Sequence, residues 1–439
     1  MKTIKLATAG AVALSGATFA QTAAAEDLTL CWAAWDPANA LVELSKDFEE
    51  QSGHTMNFEF VPWPNFADRM LNELNSGGQL CDLLIGDSQW IGGGAENGHY
   101  VKLNEFFDAE SISMDDFADA AVYAYSTWPK GTENYYALPA MGDANGWFYR
   151  KDWFTDPEIM AAFEAEHGRP LGEPQTQREL MEIAKFFQGR EIDGQERFGV
   201  SIFTERGSEG ITMGVTGALY AWGFKYENEP GSYDMVGAVN SPEAVEALEF
   251  YKELYECCTP PGYTNSYMGE SLDAFKSGQV AMAMNWFAFF PGLFADPEIG
   301  GDKIDFFVNP PQNNPASTLG GQGISVVAYS DKQDAALEYI QWFAQPEVQK
   351  EWWSLGGYAV HDAVLEDPSF VDSQPFAGDF LEAMNAVQDF WQEPTYAELL
   401  LAMQERVHNY VVAGQGTAQE ALDALIEDWT EVFEDDGKL

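Results

Sequence analysis

Hydrophobic and polar positions along this chain change period in blocks, and the block lengths predict strands and helices in turn. Continuous apolar runs of strand length are separated by longer stretches with apolar side chains at helical spacing, such as Leu41, Leu44 and Phe48. The first predicted elements occupy, in chain order, 28–35, 38–50, 56–61, 66–74 and 82–85. Because this alternation continues along most of the chain, the pattern predicts an α/β protein.

The segment 271–290 joins three elements without a gap. Leu272 and Phe275 give a short helix its apolar face, Ser277-Gly278 suits the left-handed end of a helix, and the apolar run 280–284 predicts a strand covered on both faces. Polar and aromatic residues follow at once: Asn285, Trp286, Phe287, Phe289 and Phe290. Ligands of open α/β sheets bind beyond the carboxyl ends of strands, so these residues are candidates for a binding wall. The alternative is that they belong to the core.

Three segments rich in chain breakers interrupt the α/β pattern: 138–145, 308–316 and 356–361. If the chain crosses between two lobes at these places, each lobe is discontinuous in sequence and the crossings act as hinges. The last segment, 417–434, predicts a helix with one apolar face formed by Leu422, Leu425, Ile426 and Trp429.

The first 25 residues have the features of a secretory signal: Lys2 and Lys5, an apolar stretch over 6–19, and small residues at 23–25. Without the two lysines the formal net charge falls from −49 to −51, and so acidic a surface excludes nucleic acid as a partner. The acidity also suggests a saline habitat, with a cation-rich ligand as the competing explanation. The 439 residues favour two domains.

An ordered set of segments resembles the extracellular solute-binding proteins of bacterial ABC importers, the family that includes maltose-type sugar binders. The segments are LTLCWAAW (28–35), CDLLIGDSQW (81–90), YYALPAMGDANGWFYRKDWF (135–154), SPEAVEALEFYKELYE (241–256), SLDAFKSGQVAMAMNW (271–286), LGGQGISVV (319–327) and GGYAVHDAVLEDP (356–368). The resemblance implies a two-lobe, type II periplasmic binding protein fold. Each lobe would be a central β-sheet flanked by helices, with the ligand cleft at the hinge.

The resemblance also implies boundaries, partners and a location. It places 26–141 and 312–358 in the N-terminal lobe and 142–311 and 359–439 in the C-terminal lobe. It implies a monomer in the periplasm that delivers a small solute to permease subunits, with no cofactor, metal or catalytic residues. It sets Cys31 beside Cys81, where a disulfide is plausible. Cys257 and Cys258 are adjacent, and either a vicinal bridge or two buried thiols is open.

Several residues are placed at the cleft by the resemblance and suit sugar recognition. Planar carboxylates and amides take hydroxyl pairs, and flat aromatic faces cover the C–H side of a sugar ring. The polar candidates are Asp36, Gln89, Asp143, Asn285 and Gln322. The aromatic candidates are Trp35, Trp90, Trp222, Trp286 and Tyr358, each with core packing as its alternative.

Three further candidates have equally ordinary alternatives. Gly321, within Gly320–Gly323, would let backbone approach a ligand, or would simply form a turn. Arg206 would bind a hydroxyl pair or form a surface ion pair. His361 would donate to the ligand or play a structural part.

The sequence departs from the maltose-type pattern at Gln89-Trp90, and at Leu401 and Glu405, where maltose binders carry charged or sugar-stacking residues. A smaller sugar, a polyol or a glycoside therefore fits better than maltodextrin. Two other functions compete: a secreted carbohydrate-active enzyme with two catalytic carboxylates, and a binder of quaternary ammonium osmolytes through an aromatic cage. No GxSxG or HExxH motif points to another enzyme class.

Overall fold

Two five-stranded β-sheets, each flanked by helices, form the framework of this protein in a computed structural model that describes residues 25–439. The predicted signal peptide lies outside the described residues except for Ala25. The strands are β1 Asp27–Ala33, β2 Thr55–Val61, β3 Leu83–Asp87, β4 Leu138–Met141, β5 Asn145–Arg150, β6 Arg190–Ile192, β7 Gln195–Ser201, β8 Val280–Trp286, β9 Ile304–Val308, β10 Ser317–Thr318, β11 Gln322–Val326 and β12 Val387–Gln388.

The helices of the described residues fill the intervals between the strands and most of the C-terminal region. They are α1 Asp36–Ser52, α2 Trp63–Asn75, α3 Ile91–Glu96, α4 Asn104–Glu110, α5 Asp119–Ala121, α6 Lys151–Phe154, α7 Pro157–His167, α8 Gln177–Phe187, α9 Gly210–Trp222, α10 Pro242–Cys258, α11 Met268–Lys276, α12 Phe290–Phe294, α13 Gln333–Phe343, α14 Pro346–Ser354, α15 Asp362–Leu365, α16 Ala377–Met384, α17 Tyr396–Val411 and α18 Ala418–Asp435. Among them, none combines the length and the apolar character that crossing a bilayer requires.

The two sheets are similar in strand order and differ at one edge, where β2 is parallel to β1 but β6 is antiparallel to β7. The first has the order β2-β1-β3-β11-β4, with β1 parallel to β2 and β3, and β11 antiparallel to β3 and β4. The second has the order β6-β7-β8-β5-β9, with β7 parallel to β8, and β5 antiparallel to β8 and β9. In both sheets the parallel pairs need helical crossovers, which α1 and the helices between β7 and β8 provide. The predicted α/β class and its two helix-flanked sheets are confirmed.

The predicted elements form because their apolar faces are buried. The helix predicted over 38–50 is α1, whose Leu41, Leu44 and Phe48 are buried, and the run predicted over 280–284 is β8, which is buried along its whole length. Gly278 adopts the left-handed conformation (φ 68°) at the end of α11, as its position predicted. The apolar face predicted for the last helix is buried in α18.

Three connecting segments between the sheets lie against one another. The amide of Gly320, just before β11, donates to the carbonyl of Asp143, between β4 and β5, at 3.0 Å. The amide of Gly142 donates to the carbonyl of Tyr358 at 2.8 Å. Gly142 and Asp143 lie in the predicted crossing 138–145 and Tyr358 in 356–361, whereas Gly320 lies just beyond 308–316. The lobe boundaries drawn from these crossings stay a prediction.

Two disulfides stabilise the chain. Cys31 on β1 is bonded to Cys81 just before β3, with 5.7 Å between their Cα atoms, so the predicted bridge is confirmed. Cys257 and Cys258, at the end of α10, form a vicinal bridge, which was one of the two alternatives for this pair.

Candidate functional site

A narrow pocket lies where the strand ends of the two sheets meet. The lining residues come from the ends of β1, β3 and β8, from the connecting segments and from the first turns of α2, α9 and α11. They are Trp35, Trp63, Asp87, Gln89, Asp143, Glu209, Met213, Met268, Trp286, Leu319 and Gly320.

Three tryptophans give the pocket its flat apolar surfaces. Trp35 and Trp63 lie 5.7 Å apart between ring centroids, with an interplanar angle of 31°. Trp35 is held from behind by the buried Trp32, edge to face at 5.6 Å. Trp286 ends β8 and packs on the backbone of Gly320, where a Cβ would lie 2.3 Å from the indole ring. Glycine is therefore required at position 320 for Trp286 to keep this position.

Three carboxylates face the same pocket, and the rest of the protein orients each through one oxygen. Oδ1 of Asp143 accepts from the backbone amides of Ala144 (2.9 Å) and Ala288 (3.2 Å). Oδ1 of Asp87 accepts from the Ser88 hydroxyl at 3.2 Å. Oε1 of Glu209 accepts from the Tyr396 hydroxyl at 2.8 Å. Because these partners fix the side chains, the carboxylates are pre-oriented before any ligand arrives.

Burial raises the pKa of each of these acids. Desolvation raises the pKa of Asp143 well above its ordinary value, against the lowering effect of its backbone hydrogen bonds. Burial also raises the pKa of Asp87 well above its ordinary value, and the negative charges of Glu209 and Asp389 add to this. The pKa of Glu209 is raised to about 7 by burial, opposed by the Tyr396 hydrogen bond and reinforced by Asp389. In the empty pocket, burial thus favours the protonated form of these carboxyl groups over the charged form.

Gln89 contributes an amide oxygen to the pocket. Its Nε2 donates to Oδ1 of Asp389 at 2.9 Å, which sets the orientation of the amide group. Its Oε1 is buried and has no hydrogen-bond partner among the described residues, and the same holds for the indole nitrogen Nε1 of Trp35. A buried polar atom without a partner is destabilising, so both atoms are suited to bonds with a bound molecule.

The backbone of Glu209 is strained. Its φ of 70° and ψ of −9° lie in the left-handed region, which non-glycine residues rarely occupy. It immediately precedes α9, a helix buried over its whole length, whose packing holds the residue in place. Strain of this kind is found at ligand sites, where a rigid surround imposes it.

Replacing Glu209 by glutamine is expected to change how stability depends on pH. An acid with a raised pKa binds its proton more tightly in the native state, so the stability it contributes is greatest below about pH 4.5 and is lost as the pH rises towards 7. Glu209→Gln removes that loss. From about pH 4.5 to about pH 8 the variant should gain on the parent by on the order of 3 kcal/mol in free energy of unfolding.

Urea unfolding of both proteins at the two pH values measures this gain. Glu229→Gln, which removes an exposed carboxylate, is the matched control and should show no such gain. A constant difference between Glu209→Gln and parent at both pH values would contradict the prediction.

The structure brings four of the predicted site residues together in the pocket: Trp35, Gln89, Asp143 and Trp286. Three other predicted residues, Asn285, Gln322 and Gly321, do not line the pocket and pack around it. The amide nitrogen of Asn285 donates to the carbonyl of Met268 at 3.0 Å, and Oε1 of Gln322 accepts from the buried Nε1 of Trp32. Gly321 packs so closely on the Tyr125 hydroxyl that no Cβ fits there.

The remaining aromatic candidates lie in the hydrophobic core, as their alternative interpretation had it. Trp222 packs on Phe250 of α10 at 4.9 Å between centroids, and Trp90 packs on Phe66 at 5.1 Å. Tyr358 is buried, and its hydroxyl donates to the carbonyl of Phe287. None of the three lines the pocket among the described residues.

The other predicted residues also have structural roles or lie at the surface. Arg206 is exposed and forms an ion pair with Glu405 at 3.0 Å, which is the surface role the sequence allowed. His361 caps α15, with Nδ1 accepting from the Ala363 amide at 3.1 Å. Asp36 is exposed at the start of α1, and Leu401 is 60% exposed.

The sequence analysis missed the pocket residues Trp63, Asp87, Glu209, Met213, Met268 and Leu319, whereas Gly320 belongs to the predicted segment Gly320–Gly323. One signal was available: Asp87 is an acid at the end of an otherwise apolar strand, two residues before Gln89. Glu209 gave no comparable signal, because its burial depends on Tyr396, far along the chain.

Comparison with known proteins gives a consistent result. A family model described as bacterial extracellular solute-binding protein matches residues 34–350. A probable amino-acid ABC transporter periplasmic-binding protein of Sinorhizobium fredii is 24% identical over 349 residues, covering 76% of this chain and 73% of the relative. A mannitol-binding protein of Pseudomonas aeruginosa is 26% identical over 330 residues, covering 72% and 69%.

Among solved structures, an ABC transporter solute-binding protein of Agrobacterium radiobacter in complex with ribitol superimposes with a TM-score of 0.76. It is 22% identical, and the alignment covers 93% of this chain and 98% of that one. At this identity the likeness shows the fold, and it confirms the expected type II arrangement.

Proposed function

This chain belongs to the bacterial extracellular solute-binding proteins, and on that premise we propose that it is the binding component of an ABC importer that takes up a small carbohydrate-like solute. The solute would be a sugar, a polyol or a small glycoside, bound in the pocket described above and delivered to the permease in the inner membrane. The protein would act in the periplasm after removal of residues 1–25, as a monomer with no cofactor.

One observation carries this proposal: three tryptophan faces and a set of oriented carboxylate and amide oxygens line the same pocket. A hydroxylated ring or chain presents C–H groups that pack on indole faces and hydroxyl groups that donate to carboxylates. The mannitol-binding relative and the ribitol complex agree with a ligand of this chemistry.

We propose lobes of 26–141 with 312–358 and 142–311 with 359–439. The pocket residues then come from both lobes, with Trp35 and Asp87 on one side and Glu209 and Trp286 on the other. A ligand that contacts both sides favours the closed arrangement, and its binding energy shifts the population towards that state.

A thermal-shift screen tests the proposal. Mature protein is heated in moderate salt with monosaccharides, disaccharides, polyols, sugar acids and quaternary ammonium compounds. A ligand at 100 times its dissociation constant adds about 2.7 kcal/mol to the free energy of unfolding, which raises the melting temperature measurably. We expect the largest shift with a sugar or polyol.

The bound compound is then recovered and identified by mass spectrometry. Recovery of the unmodified compound supports binding for transport, whereas hydrolysed or rearranged product would indicate an enzyme with two catalytic carboxylates. Shifts confined to quaternary ammonium compounds would contradict the carbohydrate assignment. Asp143→Asn, which keeps the size of the side chain, should abolish the shift if the pocket is the site.

A further inference from the structure

The pocket offers a bound molecule many acceptors and few donors. Asp87, Asp143 and Glu209 contribute carboxylates, and Gln89 contributes an amide oxygen whose orientation is fixed by Asp389. On the donor side, the indole N–H of Trp35 is without a partner among the described residues. The protein's own hydrogen bonds go to one oxygen of each carboxylate: Oδ1 of Asp87, Oδ1 of Asp143 and Oε1 of Glu209. With the three carboxyl groups ionised, a ligand that supplies donors complements this lining.

Positive charge is absent from the described lining. No lysine, arginine or histidine is among the residues that border the pocket in the part of the chain that the structure describes. A basic residue, Lys130, acts electrostatically on Asp389, but its ammonium group donates to the carbonyls of Tyr123 (2.8 Å) and Ala124 (3.1 Å). An anionic ligand would meet several acidic side chains and no countercharge in the lining.

The apolar part of the lining is also suited to a cation. The faces of Trp35, Trp63 and Trp286 carry negative electrostatic potential, which attracts an organic cation within about 6 Å of a ring centroid. The acids are not gathered as metal ligands are, since no group of three or more such ligands is found within residues 25–439. An organic ammonium group, spread among rings and carboxylates, fits this arrangement better than a metal ion.

We propose that the solute bound in this pocket is a hydroxylated amine, an amino sugar or amino polyol whose ammonium group lies among the carboxylates of Asp87, Glu209 and Asp143. This inference rests on the proposed binding function and adds that the ligand is positively charged. Hydroxyl groups donate to the remaining oxygens, the indole N–H of Trp35 donates to one hydroxyl oxygen, and the carbon skeleton packs on the tryptophans.

The electrostatics of the empty pocket are consistent with a cationic ligand. Burial raises the pKa values of Asp87 and Glu209, and repulsion adds to the rise, from Glu209 and Asp389 at Asp87 and from Asp389 at Glu209. Their negative charges are therefore poorly compensated by the protein. An ammonium group at this position compensates these charges, and its attraction to the carboxylates contributes to the binding free energy. Carboxyl groups that keep their protons could instead donate to a neutral sugar, and the experiment separates the two cases.

Isothermal titration calorimetry with compounds that differ only in charge provides the test. D-glucosamine, D-glucose and D-glucuronate present positive, neutral and negative forms of one ring, and D-glucamine and D-sorbitol repeat the comparison for a polyol. We expect each amine to bind at least tenfold more tightly than its neutral partner and glucuronate to bind weakest. Choline supplies a cation without the polyol.

Two variants locate the charge effect. Asp87→Asn and Glu209→Gln keep side-chain size and should each reduce the preference for amine over neutral partner about tenfold, while Glu229→Gln, at the surface, should leave it unchanged. Having two variants guards against one that fails to fold.

Each outcome has a distinct meaning. Equal or tighter binding of glucose or sorbitol overturns the charge inference and leaves the carbohydrate proposal standing. Binding of choline without any sugar or polyol overturns the carbohydrate proposal and supports the charge. Preference for glucuronate, or no binding of any compound by folded protein, overturns the inference.

Discussion

Replacing Trp286 by alanine should weaken solute binding by about two to three orders of magnitude. An aromatic side chain that forms one wall of a small pocket contributes about 2–4 kcal/mol when it is truncated at a binding site. Trp286 is 6% exposed at the end of β8, and its backbone is held by pairing with Asn145 of β5. The strand should therefore survive the change, and the loss should appear in affinity.

Trp222→Leu is the matched control for Trp286→Ala. Trp222 is a buried tryptophan too, but it packs on Phe250 and does not line the pocket. Its replacement should lower the melting temperature and leave the dissociation constant within about threefold of the parent. The measurements are thermal unfolding and calorimetric titration with the tightest-binding compound of the screen. Parental affinity in Trp286→Ala, or an equal loss in Trp222→Leu, would show that the site is elsewhere.

Removing the Cys31–Cys81 disulfide with paired alanines should cost several kcal/mol of stability. The bridge spans a sequence separation of 50, and the chain-entropy treatment gives about 4 kcal/mol for a loop of that length. It also fixes the start of β3 against β1, and β3 carries Asp87 into the pocket. The free energy of unfolding in urea measures the loss, and the parent protein after reduction should show a similar decrease.

The vicinal bridge of Cys257 and Cys258 provides an internal control. Its sequence separation of 1 closes almost no loop in the unfolded chain, so alanines at both positions should change stability little. Similar losses for the two cysteine pairs would mean that loop closure is not the source of the stabilisation.

The elements themselves could be predicted because they depend on neighbours in sequence. The helix predicted over 38–50 is α1, and the strand predicted over 280–284 is β8. In both cases the spacing of apolar residues within the segment is enough to predict the type of element and its buried face. The predicted third strand, over 82–85, continues in the structure to Asp87. Its last residues pair with β11, more than two hundred residues later, and that partner is not visible from local sequence.

The pocket itself was only partly predictable. Trp222 and Trp286 each follow an apolar run, and the sequence gives no reason to treat them differently. The structure separates them because Trp222 meets Phe250 in the core, whereas Trp286 packs on the backbone of Gly320 at the pocket.

The sequence by itself determined the α/β class, most of the strands and helices, and the family, because these follow from local period and from an ordered set of segments. Only the tertiary structure decided which polar and aromatic side chains share a pocket. Asp87 and Glu209 acquire their raised pKa values from burial and from the negative charge of Asp389, and Asp87 also from that of Glu209, although these residues lie far apart in the chain. Burial and charge repulsion depend on distances in space, and these are set by how the two sheets and their connecting segments pack together.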